Sequence, residues 1–200
     1  MGRLSVVPPV LTFDEALTLY IGDIRAELRY VGTAAHTTGD VVAWLPDHDV
    51  VFAGDLVFNG GMPFVLMGSV AGSLAALEVV RSLGASTIVP GHGAICGPGQ
   101  IDVVAGYLTW LQGVARNGAE SGLSPLEAAR QTDLGEYAEW LDAERIVGNL
   151  HRAYMELGAG TAAPAAEPVP DQPLGAAADI LSAFADMITY NGGRPLTCYA

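Results

Sequence analysis

The sequence predicts a layered α/β or α+β domain on three observations. From Leu17 to about Ile88, short apolar runs alternate with turn residues. One stretch of helical periodicity interrupts them, and beyond residue 98 the pattern is helical throughout. Strands joined by one crossover helix and followed by further helices build a sheet with helices layered on it. At 200 residues the chain is the size of a domain and long enough to bury a core.

LTLYI and IRAELRYV flank Gly22-Asp23, a pair suited to a tight hairpin turn. In the second run Ile24, Ala26, Leu28 and Tyr30 alternate with Arg25, Glu27 and Arg29, the period-2 pattern of a half-buried strand. DVVAWLP and DVVFAG follow, joined by Pro46-Asp47-His48-Asp49. Ser69 to Leu83 places Leu74, Leu77, Val80 and Leu83 at helical spacing, with Gly84 as a stop; STIVPG is then a short buried strand. Apolar residues from Ile101 to Val114 predict a helix, and Ser124-Pro125-Leu126-Glu127 is a capping box opening another. Asp142 is expected to cap a helix carrying Ile146, Leu150, Tyr154 and Leu157 on one face. Residues 158–175 read as an Ala/Pro-rich linker, and a last amphipathic helix runs over about 176–190.

Leu56 to Leu77 is 22 residues without a charge, long enough to span a bilayer. It also holds Asn59, Pro63, four Gly and two Ser, so it reads as a loop leading into a helix. MGRLSVVPPVLTF lacks the long apolar run and small-residue cleavage site of a secretory signal. Acidic residues number 22 and basic residues 9, all of them Arg, for a net charge of −13. That balance argues against a nucleic-acid backbone or an anionic membrane as partner, since both need clustered positive charge. Two Cys, at 96 and 198, make no disulfide framework, and the expected location is the cytoplasm.

Three places share one local grammar: an apolar strand, a Gly-bearing turn, then a residue able to bind metal. They are RYVGTAAHTTGD with His36, VVFAGDLVF with Asp55 and TIVPGHGAI with His92. Groups just past strand ends are positioned by the sheet and exposed by the turn. Two imidazoles and a carboxylate are donors that Zn²⁺ prefers. Each also has a plainer reading, since Gly-Asp after a strand is ordinarily a turn and a loop His ordinarily a hydrogen-bonded surface residue. His48 reads as solvated, His151 as a structural hydrogen-bonding residue, and Cys96 as a small buried hydrophobe or, less readily, a thiolate.

The ordered run VGTAAHTTGDVVAWLP, VVFAGDLVF and IVPGHG resembles the later motifs of the metallo-β-lactamase superfamily of hydrolases. FNGGMPFVLMGSVAG, SPLEAARQTDLG, ERIVGNLHRAY and YNGGRPLTCYA are similar to the superfamily's cyclase/thioesterases of bacterial aromatic polyketide pathways. The resemblance implies an αββα sandwich represented mainly by its C-terminal half, with a helical C-terminal extension. It divides the chain into a partial sheet-and-helix unit over 1–97, helices of the same domain over 98–157, the 158–175 linker, and a helix and tail over 176–200. It implies two zinc ions, with His36 on one, His92 on the other and Asp55 bridging them, and no catalytic residue beyond these ligands. The implied activity is hydrolysis of an acyl thioester, with possible cyclisation of a polyketide held on an acyl carrier protein. Met62, Phe64, Leu66 and Met67 would line an apolar substrate pocket, or else serve core and loop packing. Tyr190, Asn191 and Arg194 would fold over it.

One motif of that family is not in this sequence. H-x-H-x-D-H would supply four more ligands, yet the chain's four His are at 36, 48, 92 and 151, with no pair spaced by two. The expectation is therefore a chain that stops short of a complete site, inactive alone, with one sheet face uncovered. Two other readings remain open at this point. One is a non-catalytic subunit that self-associates or binds a partner chain through that face; the other is a mononuclear metal protein using His36, Asp55 and His92.

Overall fold

The computed structural model describes residues 7–158 and 177–199. Five strands form one sheet in sequence order: β1 (Ala16–Ile21), β2 (Ile24–Tyr30), β3 (Val41–Leu45), β4 (Val50–Phe58) and β5 (Thr87–His92). The first four run antiparallel and β5 joins β4 in parallel. Gly22, at φ 64°, makes the two-residue turn that pairs Ile21 with Ile24. The Pro46-Asp47-His48 turn ends on Asp49 at φ 58°, whose Oδ1 accepts the Ser86 N–H at 3.0 Å and so ties the turn to the start of β5.

The parallel pair requires a crossover, supplied by α1 (Val70–Ser82). Ser69 caps it by accepting the Gly72 N–H at 2.9 Å, and Gly84 at φ 70° closes it. The helical half comprises α2 (Gly99–Glu120), α3 (Pro125–Gln131), α4 (Arg145–Gly158) and α5 (Ala177–Tyr190). α2 runs six residues past the predicted end at Val114. Its inward face continues there with small residues, Ala115 and Gly118, where apolar periodicity is hard to read. A side chain at Gly118 would overlap the Tyr154 hydroxyl, so the small residue is what lets α4 approach. The Ser124/Glu127 capping box forms as read, with Ser124 N donating to Glu127 Oε2 at 2.9 Å.

Asp142 differs from its expected role. It sits at φ 59°, and its carboxylate receives the Tyr199 backbone N–H at 3.0 and 3.1 Å and pairs with Arg145 at 2.8 Å. A left-handed residue next to the partly buried Arg145 answers to that charge before it answers to the helix end. The 158–175 stretch lies outside the described residues except for Gly158, which ends α4.

One core cluster runs from Val31 through Leu77, Tyr107 and Leu150 to Met187. α1 and α2 lie against β4, covering Val51 and Ala53. The other sheet face is apolar as well. Cross-strand partners share a face, and Leu17↔Leu28, Leu28↔Ala43, Ala43↔Phe52 and Phe52↔Val89 carry one apolar row across all five strands. Phe52 in that row is 46% exposed. Among the described residues, no helix is long and apolar enough to cross a membrane.

Candidate metal centre

His36 comes from the loop between β2 and β3, Asp55 from the bulged middle of β4, and His92 from the last position of β5. The fold brings all three together. His36 Nε2 is 3.3 Å from Asp55 Oδ2, and His92 Nε2 is 3.5 Å from Asp55 Oδ1. One carboxylate thus presents a different oxygen to each imidazole. All three side chains are partly exposed, at 21%, 38% and 25% for His36, Asp55 and His92.

Close backbone approaches put these groups in place. The Ala34–Ala35 segment of the His36 loop presses on the start of α1, where any Cβ on Gly68 or Gly72 would overlap the Ala35 or Ala34 carbonyl. Ser69 N donates to Ala35 O at 2.8 Å in the same contact. The Asp40 carboxylate closes the loop, accepting from Thr37 N and Thr37 Oγ1 at 2.8 Å each. On β5, a Cβ at Gly91 would collide with Asp55 Oδ1, so glycine leaves the carboxylate its room.

The second ring nitrogen of each imidazole is also engaged. His36 Nδ1–H donates to Phe64 O at 2.6 Å, turning Nε2 toward Asp55. His92 Nδ1 lies 3.6 Å from Cys198 Sγ, and its ring stacks on Phe58 with centroids 4.7 Å apart at 14°. Such outer partners orient metal-binding histidines and fix which nitrogen faces the ion.

The donor chemistry fits a divalent ion. Two donors each about 2.0–2.1 Å from a tetrahedral Zn²⁺ lie about 3.3 Å apart, the spacing seen in both His–Asp pairs. The donors form two pairs on opposite oxygens, not one closed triad. Among the described residues, no group of three or more His, Cys, Asp or Glu is arranged to hold a metal ion. These pairs hold fewer than the three protein ligands usual for a catalytic zinc.

The segment predicted as a pocket wall has another setting here. Met62 and Leu66 are 0% and 1% exposed, and Phe64 packs toward Phe184, their centroids 6.2 Å apart. For Met62 and Leu66 that is the packing alternative, because an apolar loop with helices on it has no water to face. Met67 is partly exposed. The cleft between α4 and α5, about 370 Å³ and lined by His151, Tyr154 and Ser182 among others, touches none of the four.

A row of polar residues on α4, unread in the sequence, organises this loop. Arg145 Nη1 donates to Met62 O at 2.9 Å, and Asn149 donates to Pro63 O at 2.7 Å while accepting from Val65 N at 2.9 Å. Arg152 gives two bonds to Leu66 O, at 3.0 and 2.7 Å, and Glu156 accepts from Val70 N and Ala71 N at the start of α1. Their 4-3-4 spacing is a helical stripe, and that spacing was the available signal. Burial lowers the Arg152 pKa and raises that of Tyr107, whose hydroxyl accepts from Asn149 at 2.8 Å.

The remaining candidates fall outside the pair of imidazoles. His48 is exposed in its turn, and His151 hydrogen-bonds Asp186 at 2.8 Å. Cys96 donates to the Ile88 carbonyl at 3.7 Å, and burial pushes its thiol pKa up. Arg194 bonds back to Asn191, and Tyr190 packs on the core; Cys198 and Tyr199 are the tail residues that reach the centre's surroundings.

The family profile of the metallo-beta-lactamase superfamily matches residues 3–92, the stretch that ends on His92. That segment is similar to the metallo-β-lactamase superfamily. Over 65 residues the chain is 32% identical to a hydroxyacylglutathione hydrolase of Rhodospirillum rubrum, covering 32% of this chain and 25% of the relative. Among solved structures it is similar to a metallo-beta-lactamase from Pontibacter korlensis, with 24% identity over 50% of this chain and 49% of that one, at a TM-score of 0.46. DIM-1 metallo-beta-lactamase is similar at 24% identity and a TM-score of 0.42, with 48% and 46% covered. The chain thus spans about a quarter of the curated relative and about half of these superfamily structures.

Proposed function

We propose that this chain carries the Asp55-centred part of a two-metal hydrolase site whose substrates are acyl thioesters. The observation that carries the reading is the placement of two imidazole Nε2 atoms on opposite oxygens of one carboxylate. Zn²⁺ is the ion that suits these donors; when bound it supplies Lewis acidity toward water and an acyl carbonyl. Asp55 would span the two ions, His36 would ligate one and His92 the other. The Phe64 carbonyl holds the proton on His36 Nδ1 and so keeps its Nε2 lone pair available.

The thioester class is supported by the hydroxyacylglutathione hydrolase relative, named for cleaving an acyl–glutathione bond. The likeness of 58–72 and of the C-terminal segments to cyclase/thioesterases extends the proposal to a poly-β-keto chain. The net charge of −13 favours a small acyl substrate over a polyanion and gives no attraction to an acidic carrier protein. Cys96 and Cys198 are thiols and not a disulfide, which suits the cytoplasm.

The test is Zn²⁺ binding followed by competition with a chromophoric chelator, and thiol release from S-lactoylglutathione set against opening of a β-lactam. Asp55→Asn is expected to weaken Zn²⁺ binding by more than about tenfold, the lower end of what losing even an outer partner of a ligand costs. Thiol release is expected to require Zn²⁺ and to outrun lactam opening. Binding unchanged in Asp55→Asn, or a lactam cleaved faster than the thioester, would overturn the reading.

The open apolar sheet face favours a second reading, in which a partner chain or second copy seats there and completes the ligand sets. Zn²⁺ held with no turnover, in an assembly larger than one chain by native mass spectrometry, would select it.

A further inference from the structure

We propose that Arg145 and Cys198 form a clamp that sets the orientation of the His92 ring, which makes the C-terminal tail part of the candidate centre. The inference rests on the metal reading above for one of its two measurements only.

Arg145 reaches His92 by two routes. Its guanidinium carbon lies 5.4 Å over the Phe58 ring, and Phe58 stacks on His92. Its Nη2 donates to Cys198 Sγ at 3.0 Å, and the same sulfur lies 3.6 Å from His92 Nδ1. An imidazole has two torsions to settle. The stacked ring fixes its plane, and an acceptor at Nδ1 fixes which nitrogen faces Asp55. In the proposed clamp the sulfur takes the Arg145 N–H and the His92 Nδ1–H, so the proton would sit on Nδ1 and the Nε2 lone pair would face the carboxylate.

The clamp is itself anchored. The Arg145 side chain is 11% exposed and pairs at 2.8 Å with Asp142, whose side chain is fully buried. That carboxylate also takes the Tyr199 N–H, so the residue after Cys198 is tied to the same pair that holds Arg145. His36 serves as the internal comparison for the Cys198 variants. Its Nδ1 is held by the Phe64 backbone carbonyl at 2.6 Å, a contact in which Cys198 takes no part.

The experiment uses the full chain, first metal-free and then with Zn²⁺ alone, in the parent, Cys198→Ala, Cys198→Ser and Arg145→Lys. The first measurement is by NMR at fixed pH: nuclear Overhauser contacts between the Phe58 and His92 rings, with the His36 ring signals as reference. The second is Zn²⁺ affinity by chelator competition. Cys198→Ala is expected to weaken the Phe58–His92 contacts, leave His36 unchanged and lower Zn²⁺ affinity about 10- to 100-fold, with Cys198→Ser restoring most of both. Arg145→Lys is expected to lose the Phe58–His92 contacts as well, because an ammonium cannot span the ring and the sulfur together. Ring contacts unchanged in Cys198→Ala would overturn the clamp, as would equal changes at His36 and His92, or failure of serine to restore what alanine loses. Cys198 is exposed, so its variants decide the matter even where Arg145→Lys does not fold. If the parent takes up no Zn²⁺, the metal reading falls while the ring contacts still decide the clamp.

Discussion

The two faces of the five-stranded sheet differ in pattern and in cover. On the helix side, Val42 and Val51 are completely buried beneath a continuous core. On the other side, Ile21, Val41 and Phe52 are 62%, 40% and 46% exposed in rows of like residues. A sheet with one wet face shows apolar residues on one side only. Here β2 turns Arg25, Glu27 and Arg29 to the helix side and Ile24, Ala26, Leu28 and Tyr30 to the other. The apolar row that crosses all five strands therefore lies on the more open side, and contiguous exposed apolar surface of this kind marks an interaction site. The difference shows that cover of this face and the candidate centre are separable: the three donors converge while Ile21, Val41 and Phe52 stay exposed.

Substitutions on the two faces should part widely. Leu77→Ala, in the closed core, is expected to cost about 3 kcal/mol in urea unfolding through the cavity it leaves. Asn149→Ala comes next, at about 2 kcal/mol, because it strands the Pro63 carbonyl, the Val65 N–H and the Tyr107 hydroxyl in a dry interior. Glu156→Gln should cost about 1 kcal/mol by thermal melting, since it removes a full negative charge from the α1 N-terminus. Phe52→Ser, on the open face, is expected to stay within about 0.5 kcal/mol. Its effect should show in size-exclusion profiles, as weaker self-association at high concentration; a loss of stability matching Leu77→Ala would erase the contrast between the faces. Smallest is a pH effect at Asp49, whose carboxyl is held below the usual range by hydrogen bonds from Ser86. With the folded value depressed, its contribution is present above the unfolded carboxylate range and fades as pH falls through the lower folded value. Asp49→Asn should flatten that part of the acid limb of the stability curve.

The sheet half was legible in the sequence because its signals are local. Gly22-Asp23, the alternation over 24–30 and Pro46-Asp47-His48-Asp49 each specify a strand or turn within a few residues, and the structure follows them in order. The convergence of His36, Asp55 and His92 followed from motif order, since groups at the ends of neighbouring strands are carried together. What escaped was long-range and polar. Asp142 looks like a cap until Arg145 and Tyr199 claim its carboxylate. Arg145, Asn149, Arg152 and Glu156 look like the wet side of an amphipathic helix, and their value lies in backbone groups more than 80 positions earlier. Ala115 and Gly118 hide the last turns of α2, because packing by small residues leaves no apolar periodicity.

The parallel pairing of β4 with β5 also bears on when the centre comes into being. Asp55 and His92 meet only after the intervening segment has made its crossover, and His36 arrives from a separate connection. Hairpins close in microseconds, whereas non-local pairings must first overcome the entropy of a long loop. The β1–β2 hairpin therefore has every reason to form early and the donor set to assemble late. An ion would meet a scaffold already built, and a chelator present during refolding should leave the rate of sheet formation unchanged.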